Sequence, residues 1–177
     1  MAQTEAGRIN PLTEAFDLPP FDRLQTADFQ PGIKELIACA RSEVQDILDQ
    51  ESAADFHNTV EPLEALWHPL NRATSIMFNL HSAETSEELE KVVEQIAPEL
   101  SSFSNDLLLN HKLFSRVQKI WEDRAKEQLG PHELRLLEKT YRSFRTNGAL
   151  LTDEEKEELR SIDEQLSIES IQFGQWS

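Results

Sequence analysis

His132 and Glu133, in the stretch Gly130 to Lys139 (GPHELRLLEK), come nearest in this sequence to a catalytic motif. In H-E-x-x-H, two histidines on one helical face bind zinc together and the glutamate between them activates water. Here the place of the second histidine is taken by Leu136, which cannot ligate a metal. The stretch reads instead as a helix start. Pro131 suits a first helical position, where its missing N–H costs nothing, and Glu133 complements the positive helix N-terminus. The other histidines, His57, His68, His81 and His111, are not paired at metal-binding spacing and fall beside caps or on polar helix edges, which gives them surface or supporting roles.

Carboxylates recur at helical spacing in ETSEELEKVVEQ and TDEEKEELRSIDEQ. An acid–base dyad or a two-metal site could be built from such spacing. Both runs fall in first turns, where acids favour the helix dipole, and both are interleaved with lysine or arginine, so a solvated face is the better reading. Cys39, the one cysteine, has no basic or histidine neighbour to depress its pKa and reads as a semi-buried helical residue. The 5 glycines are scattered, which excludes a Gly-rich phosphate loop, and no serine sits in a G-x-S-x-G setting. The residues alone therefore provide no catalytic, cofactor-binding or metal-ligating set.

The elements that carry these residues belong to a chain of 177 residues and 20.3 kDa, enough for one domain with a real core. With 33 acidic against 17 basic side chains the net charge is -16, so the surface field repels phosphates and anionic lipid, and neither nucleic acid nor a membrane surface is an expected partner. No apolar run is long enough to span a bilayer, and the N-terminal MAQTEAGRINPLTEAF has no basic-then-apolar leader pattern. A cytoplasmic location is expected.

Residues 1–26, with Pro11, Pro19 and Pro20 flanking Phe16, Leu18 and Phe21, are expected to form an extended arm that packs by its aromatics. Residues 27–177 then take a helical period. Ile33, Leu36, Ile37, Ala40, Val44, Ile47 and Leu48 form one stripe, and Pro31 places that helix's first turn. Asn58 with Glu61 reads as a capping box starting a helix at Thr59, with an irregularity forced by Pro69. Thr85 with Glu88 caps the next helix, in which Pro98 is expected to introduce a second kink, and Asn110 caps another. Gly130 reads as the close of that helix and Asn147-Gly148 as the stop after a stripe of Leu134, Leu137, Tyr141 and Phe144. Thr152 with Glu155 caps the last helix, carrying Leu159, Ile162, Leu166 and Ile171 inward. The fold predicted is all-α, about six antiparallel helices behind a Pro-rich arm.

Several segments, taken in order, resemble the opening of the thimet oligopeptidase family of zinc metallopeptidases, of the bacterial oligopeptidase A and peptidyl-dipeptidase type. They are NPL at Asn10 to Leu12, LPPFDRLQTADFQPGI at Leu18 to Ile33, DFHNTVEPLE at Asp55 to Glu64 and FNLHSAETSEEL at Phe78 to Leu89. APELSSFSNDLLLNHKLFSRV at Ala97 to Val117, LRLLEKTYRSFRTNGALL at Leu134 to Leu151 and LRSIDEQLSIESIQFGQ at Leu159 to Gln175 continue the pattern almost end to end. The resemblance implies a nearly all-helical enzyme of two lobes around a deep channel that admits short peptides and excludes folded proteins. Its zinc helix lies several hundred residues beyond the region matched, so no catalytic or metal residue carries over. The chain stops at Ser177 inside what still reads as a helix, and FGQWS lacks the asparagine expected after Gln175.

Two functions are open to such a chain. It is the non-catalytic N-terminal lobe of a zinc-dependent oligopeptidase, walling one side of its channel, with the catalytic domain of the same enzyme as partner. The alternative is a stand-alone acidic helical module acting through protein contacts. Broad apolar faces at Trp67, Leu70, Ile76, Met77, Phe78, Leu80 and Leu107 to Leu109 suggest, in either case, a weak homodimer of the isolated chain that strengthens with salt.

Overall fold

Every regular element of the protein is helical, and most are bounded by a side chain that satisfies the end of the helix. The computed structural model describes residues 8–83, 86–126 and 128–174, with side chains as far as Ile171. The elements are α1 (Thr26–Leu48), a π turn (Phe56–Val60), α2 (Glu61–Ala65), α3 (Trp67–Ala83), α4 (Glu87–Leu108), α5 (His111–Asp123), α6 (Pro131–Thr146) and α7 (Asp153–Gly174). No strand occurs among the described residues. The π turn, α2 and α3 form one interrupted rod, so the all-α reading holds.

The arm before α1 is anchored by one motif. Asn10 accepts the Leu12 N–H at 3.0 Å and donates to the Asp28 carbonyl at 2.7 Å. It lies against Gly32, where an added Cβ would come within 2.7 Å of its amide, so the arm can reach α1 only across a glycine. This seats Leu12 in the main core, with Phe16 half-buried and held under Arg72. The expected packing by Leu18 and Phe21 does not occur; both are exposed. The arm also turns at Asn10–Thr13 and again after Pro19.

Helix α1 begins at Thr26, earlier than Pro31 suggested, because Asp28 accepts the Gln25 N–H at 2.8 Å and fixes the start there. Pro31 therefore lies inside the helix, where it removes one hydrogen bond from the ladder. A second correction falls at Asn58. Asp55 is the cap, accepting the Asn58 N–H at 2.8 Å, while Asn58 returns its side-chain oxygen to the Asp55 N–H at 3.0 Å. The next turn is wide, with the Glu61 N–H bonded to the Phe56 carbonyl. Arg116 of α5 clamps it by bonds to Thr59 and Asn58, both 3.2 Å, and to the Gln50 side chain at 3.3 Å. Pro69 has the effect its chemistry requires. It cannot donate to Ala65, and the rod breaks at Leu66. Helix α4 by contrast is one continuous element through Pro98, where the sequence suggested a kink.

Ser86 caps α4 by accepting the Leu89 N–H, while Thr85, the residue expected there, lies outside the described residues. Asn110 caps α5 as expected. Gly130 does not close α5, which ends at Asp123; it is the cap of α6, its N–H held by Glu133 at 2.6 Å. At the other end of α6, Gly148 adopts φ 93°, and the Ala149 N–H reaches back to the Phe144 carbonyl. Thr152 and Glu155 exchange bonds at the start of α7, and the Thr152 backbone and hydroxyl donors hold the Glu155 carboxyl below its ordinary range.

Helices α1, α3 and α4 pack around the main core, to which α5 and α6 contribute Leu113, Phe114, Val117 and Phe144. Phe29, Phe103, Phe144, Leu70, Met77 and Ile96 are among its fully buried members. Burying each such side chain stabilises the fold by roughly 1.5–3 kcal/mol before entropy is counted. A smaller cluster of Phe56, Val60, Ile120 and Leu137 joins the π turn to α5 and α6. The apolar faces that suggested a self-association seam are largely used up here: Leu70, Ile76, Met77, Leu107 and Leu109 are buried, and among them only Phe78 is exposed.

The C-terminal end of α5 gives a pH-dependent contact. Asp123 sits where the helix dipole disfavours a carboxylate, yet hydrogen bonds from Lys119 (2.6 Å) and Lys126 (2.5 Å) lower its pKa from 3.8 to about 2. A group depressed in the folded state contributes stability that is present above its unfolded pKa and lost as pH falls through the folded one, here from 3.8 down to about 2. An NMR titration of the Asp123 carboxyl should show its midpoint near 2. The double change Lys119→Ala, Lys126→Ala should return the midpoint toward 3.8. A midpoint unmoved by that change would remove the lysines as the cause.

Candidate functional site

The residues that could have done chemistry are spread over several helices. His132 is exposed in the first turn of α6, as expected, and Glu133 beside it accepts the Gly130 N–H at 2.6 Å. His57 lies 3.0 Å from Glu61, and that hydrogen bond raises its pKa above the ordinary histidine range. His68 and His111 are exposed on separate helices. Among the described residues no three His, Cys, Asp or Glu side chains converge to hold a metal ion. Cys39 is exposed, a correction to the semi-buried place expected of it. The acid runs act as first-turn caps and surface charges. One member of neither run, Asp106 of α4, ties three helices together, bonding Arg41 of α1 and, at 2.7 Å, Arg160 of α7.

Two surfaces stand out from the acidic exterior. An open groove of about 1010 Å³ runs along α6 and the end of α5, lined by Arg124, Arg135, Lys139 and Arg142 beside Trp121 and Leu134. Arg124 stacks 4.1 Å from the Trp121 ring centroid, and Trp121 stacks on Tyr141 at 5.1 Å. Only Glu138 offsets the cations within the lining, through a 3.2 Å bond to Arg142. Guanidinium and aromatic groups so arranged can meet a carboxylate, but they hold no group poised to react with one. Leu134, read from the sequence as inward, is exposed in this groove.

The second surface is on α7. Half of its expected stripe faces the other way: Ile162 is 46% exposed and Leu166 53%, whereas Lys156 is only 7% exposed; Leu159 and Ile171 are half-buried, Ile171 against the main core. Periodicity could show that α7 has an apolar side, but not that α4 would take the polar side through Asp106. The one cue in the sequence was the regular spacing of Lys156, Arg160, Asp163 and Ser167.

The fold and its surfaces define an acidic helical lobe, without a metal-ligand cluster among the described residues. The neurolysin/thimet oligopeptidase N-terminal domain model matches residues 33–156. The dipeptidyl carboxypeptidase of Salmonella typhimurium is 33% identical over 94% of this chain and 25% of its own length. The probable cytosolic oligopeptidase A of Arabidopsis thaliana is 26% identical over 99% of the chain and 25% of its own length, and the oligopeptidase A of Escherichia coli 25% identical over 93% and 24%. The chain therefore belongs to the neurolysin/thimet oligopeptidase family, to its N-terminal domain. It spans about a quarter of the length of these relatives.

Proposed function

We propose that the chain is the non-catalytic N-terminal lobe of a zinc-dependent oligopeptidase acting on short peptides, and that it forms one wall of the substrate channel. The observation that carries this reading is the match along almost the whole chain to a quarter of a dipeptidyl carboxypeptidase. The described residues do not fit zinc, since they supply no converging ligand set, so the metal would be held by the remainder of the enzyme. The lobe's part is steric and electrostatic: rigid helices restrict entry, and a field dominated by acids repels anionic macromolecules. We place the enzyme in the cytoplasm, in keeping with the name of the cytosolic Arabidopsis relative.

The test is a chimera in which these residues replace the matching quarter of the Salmonella enzyme. Peptide hydrolysis by the chimera within about tenfold of the parent, abolished by a chelator, is the expected result. The isolated chain should hydrolyse no peptide and retain no stoichiometric zinc after dialysis. An inactive chimera that folds, or chelator-sensitive turnover by the isolated chain, would overturn the reading. In the first case a stand-alone interaction module would replace it.

A further inference from the structure

Helix α7 is mounted with its polarity reversed. Lys156, Arg160, Asp163 and Ser167 recur at steps of three and four and are buried or half-buried, a line that Ile171 continues against the main core, with Arg160 bonded to Asp106 of α4 at 2.7 Å. Ile162 and Leu166 lie on the other side, 46% and 53% exposed, with the half-buried Leu159 at their edge. The seam continues into the preceding loop. Leu151 and Leu159 close over Gly148 together, both within 2.9 Å of where a Cβ would stand. An amphipathic helix normally turns its apolar stripe to the core. Here α4 takes the polar stripe, and Ile162 and Leu166 are left exposed.

The rim of the seam identifies what covers it. Glu155, Glu158 and Glu169 flank Ile162 and Leu166, and all are exposed. Two copies of this chain meeting through α7 would press these acids together on molecules of net charge -16, a juxtaposition that disfavours a homodimer. A segment with apolar residues at steps of three and four, flanked by lysine or arginine, complements both the seam and its rim. The relatives carry about three quarters of their length outside the matched region, since the match covers 25% of the Salmonella protein. We infer that the α7 seam is the docking face for a basic amphipathic helix from that remaining part of the same polypeptide. The inference rests on the proposed reading of the chain as a lobe of a larger peptidase.

The experiment compares the isolated chain with the Salmonella chimera, each carrying Leu166→Cys or, as a reference, Leu18→Cys at a position 82% exposed. Maleimide labelling is followed by mass spectrometry of the peptide containing the new cysteine. Position 166 should react at least tenfold more slowly in the chimera than in the isolated chain, with position 18 changing less than twofold. Equal rates at 166 in the two proteins overturn the inference. Protection of 166 in the isolated chain that grows with its concentration also overturns it, in favour of a second copy. The paired change Ile162→Lys, Leu166→Lys should lower the melting temperature of the chimera and leave that of the isolated chain unchanged. An equal drop in both would show that the seam serves the chain's own core. Peptidase activity is read separately. An active chimera with an open position 166 removes the α7 assignment alone, whereas a protected 166 in an inactive chimera supports docking and counts against the channel-wall function.

Discussion

Phe144→Ala is expected to destabilise the isolated chain by about 3–5 kcal/mol, the range for deleting a buried aromatic ring. Phe144 is 2% exposed near the end of α6 and stacks on Phe114 with ring centroids 6.0 Å apart. It also borders a cavity of about 190 Å³ shared with Leu63, Trp67 and Leu107. Removing the ring enlarges a space that is already present, and neighbours held on four different elements cannot all collapse into it. The loss therefore belongs in the upper part of the range. Leu134→Ala on the same helix, at an exposed position, should change stability by no more than about 0.5–1 kcal/mol. Denaturant titrations of the two variants test the contrast. A loss below about 1 kcal/mol for Phe144→Ala would mean that the surrounding side chains repack around the vacancy.

Gly148→Ala should cost about 1–2 kcal/mol, because Gly148 holds φ 93°, where a Cβ is strained whatever the space around it. The crowding adds to this, since the new methyl would stand 2.8 Å from Leu151, 2.9 Å from Leu159 and 3.2 Å from Leu109. The leucine tips can move; the backbone cannot leave this conformation without releasing the Ala149 N–H from the Phe144 carbonyl. Gly130→Ala is the matched control. Its φ is -71°, ordinary for any residue, and the nearest atom is the Glu133 carboxylate at 3.3 Å. Thermal melts should separate the two glycines clearly, and equal losses would remove backbone strain as the explanation.

What could be read from the sequence divides along one physical line. Asn110, Thr152 with Glu155, and Asn147-Gly148 were legible because a cap is settled within four or five residues, by groups that have no other partner to choose. Pro69 was legible for the same reason, as it denies a hydrogen bond to one particular carbonyl. Asn58 misled because two reciprocal patterns overlap there, Asp55 with Asn58 and Asn58 with Glu61, and only the wide turn lets the first one win. Gly130 misled because glycine serves at either end of a helix, and α5 ends at Asp123, well before it. The orientation of α7 left only one trace, the regular spacing of Lys156, Arg160, Asp163 and Ser167, which does not say which side turns inward. Which side of a two-faced helix turns inward depends on what the neighbouring helix offers, and Asp106, more than 50 positions away from Arg160, made the polar side acceptable. The candidate surfaces were hidden for the same reason, since both depend on which helices lie side by side.

The wide turn at Phe56–Val60 changes the phase of the rod that contains it. Phe56 and Leu63, seven positions apart, would share one face of a regular helix, and each added residue rotates the downstream part of the rod by about 100°. The turn supplies that rotation. Phe56 and Val60 enter the small cluster with Ile120 and Leu137, while Leu63, Leu66 and Leu70 enter the main core. A single stretch of chain thus feeds two clusters, which meet again where Trp121 of α5 stacks on Tyr141 of α6. The phase change therefore lets one rod brace the main core and the corner formed by α5 and α6 at once, so that a residue inserted or removed in the turn would misalign both.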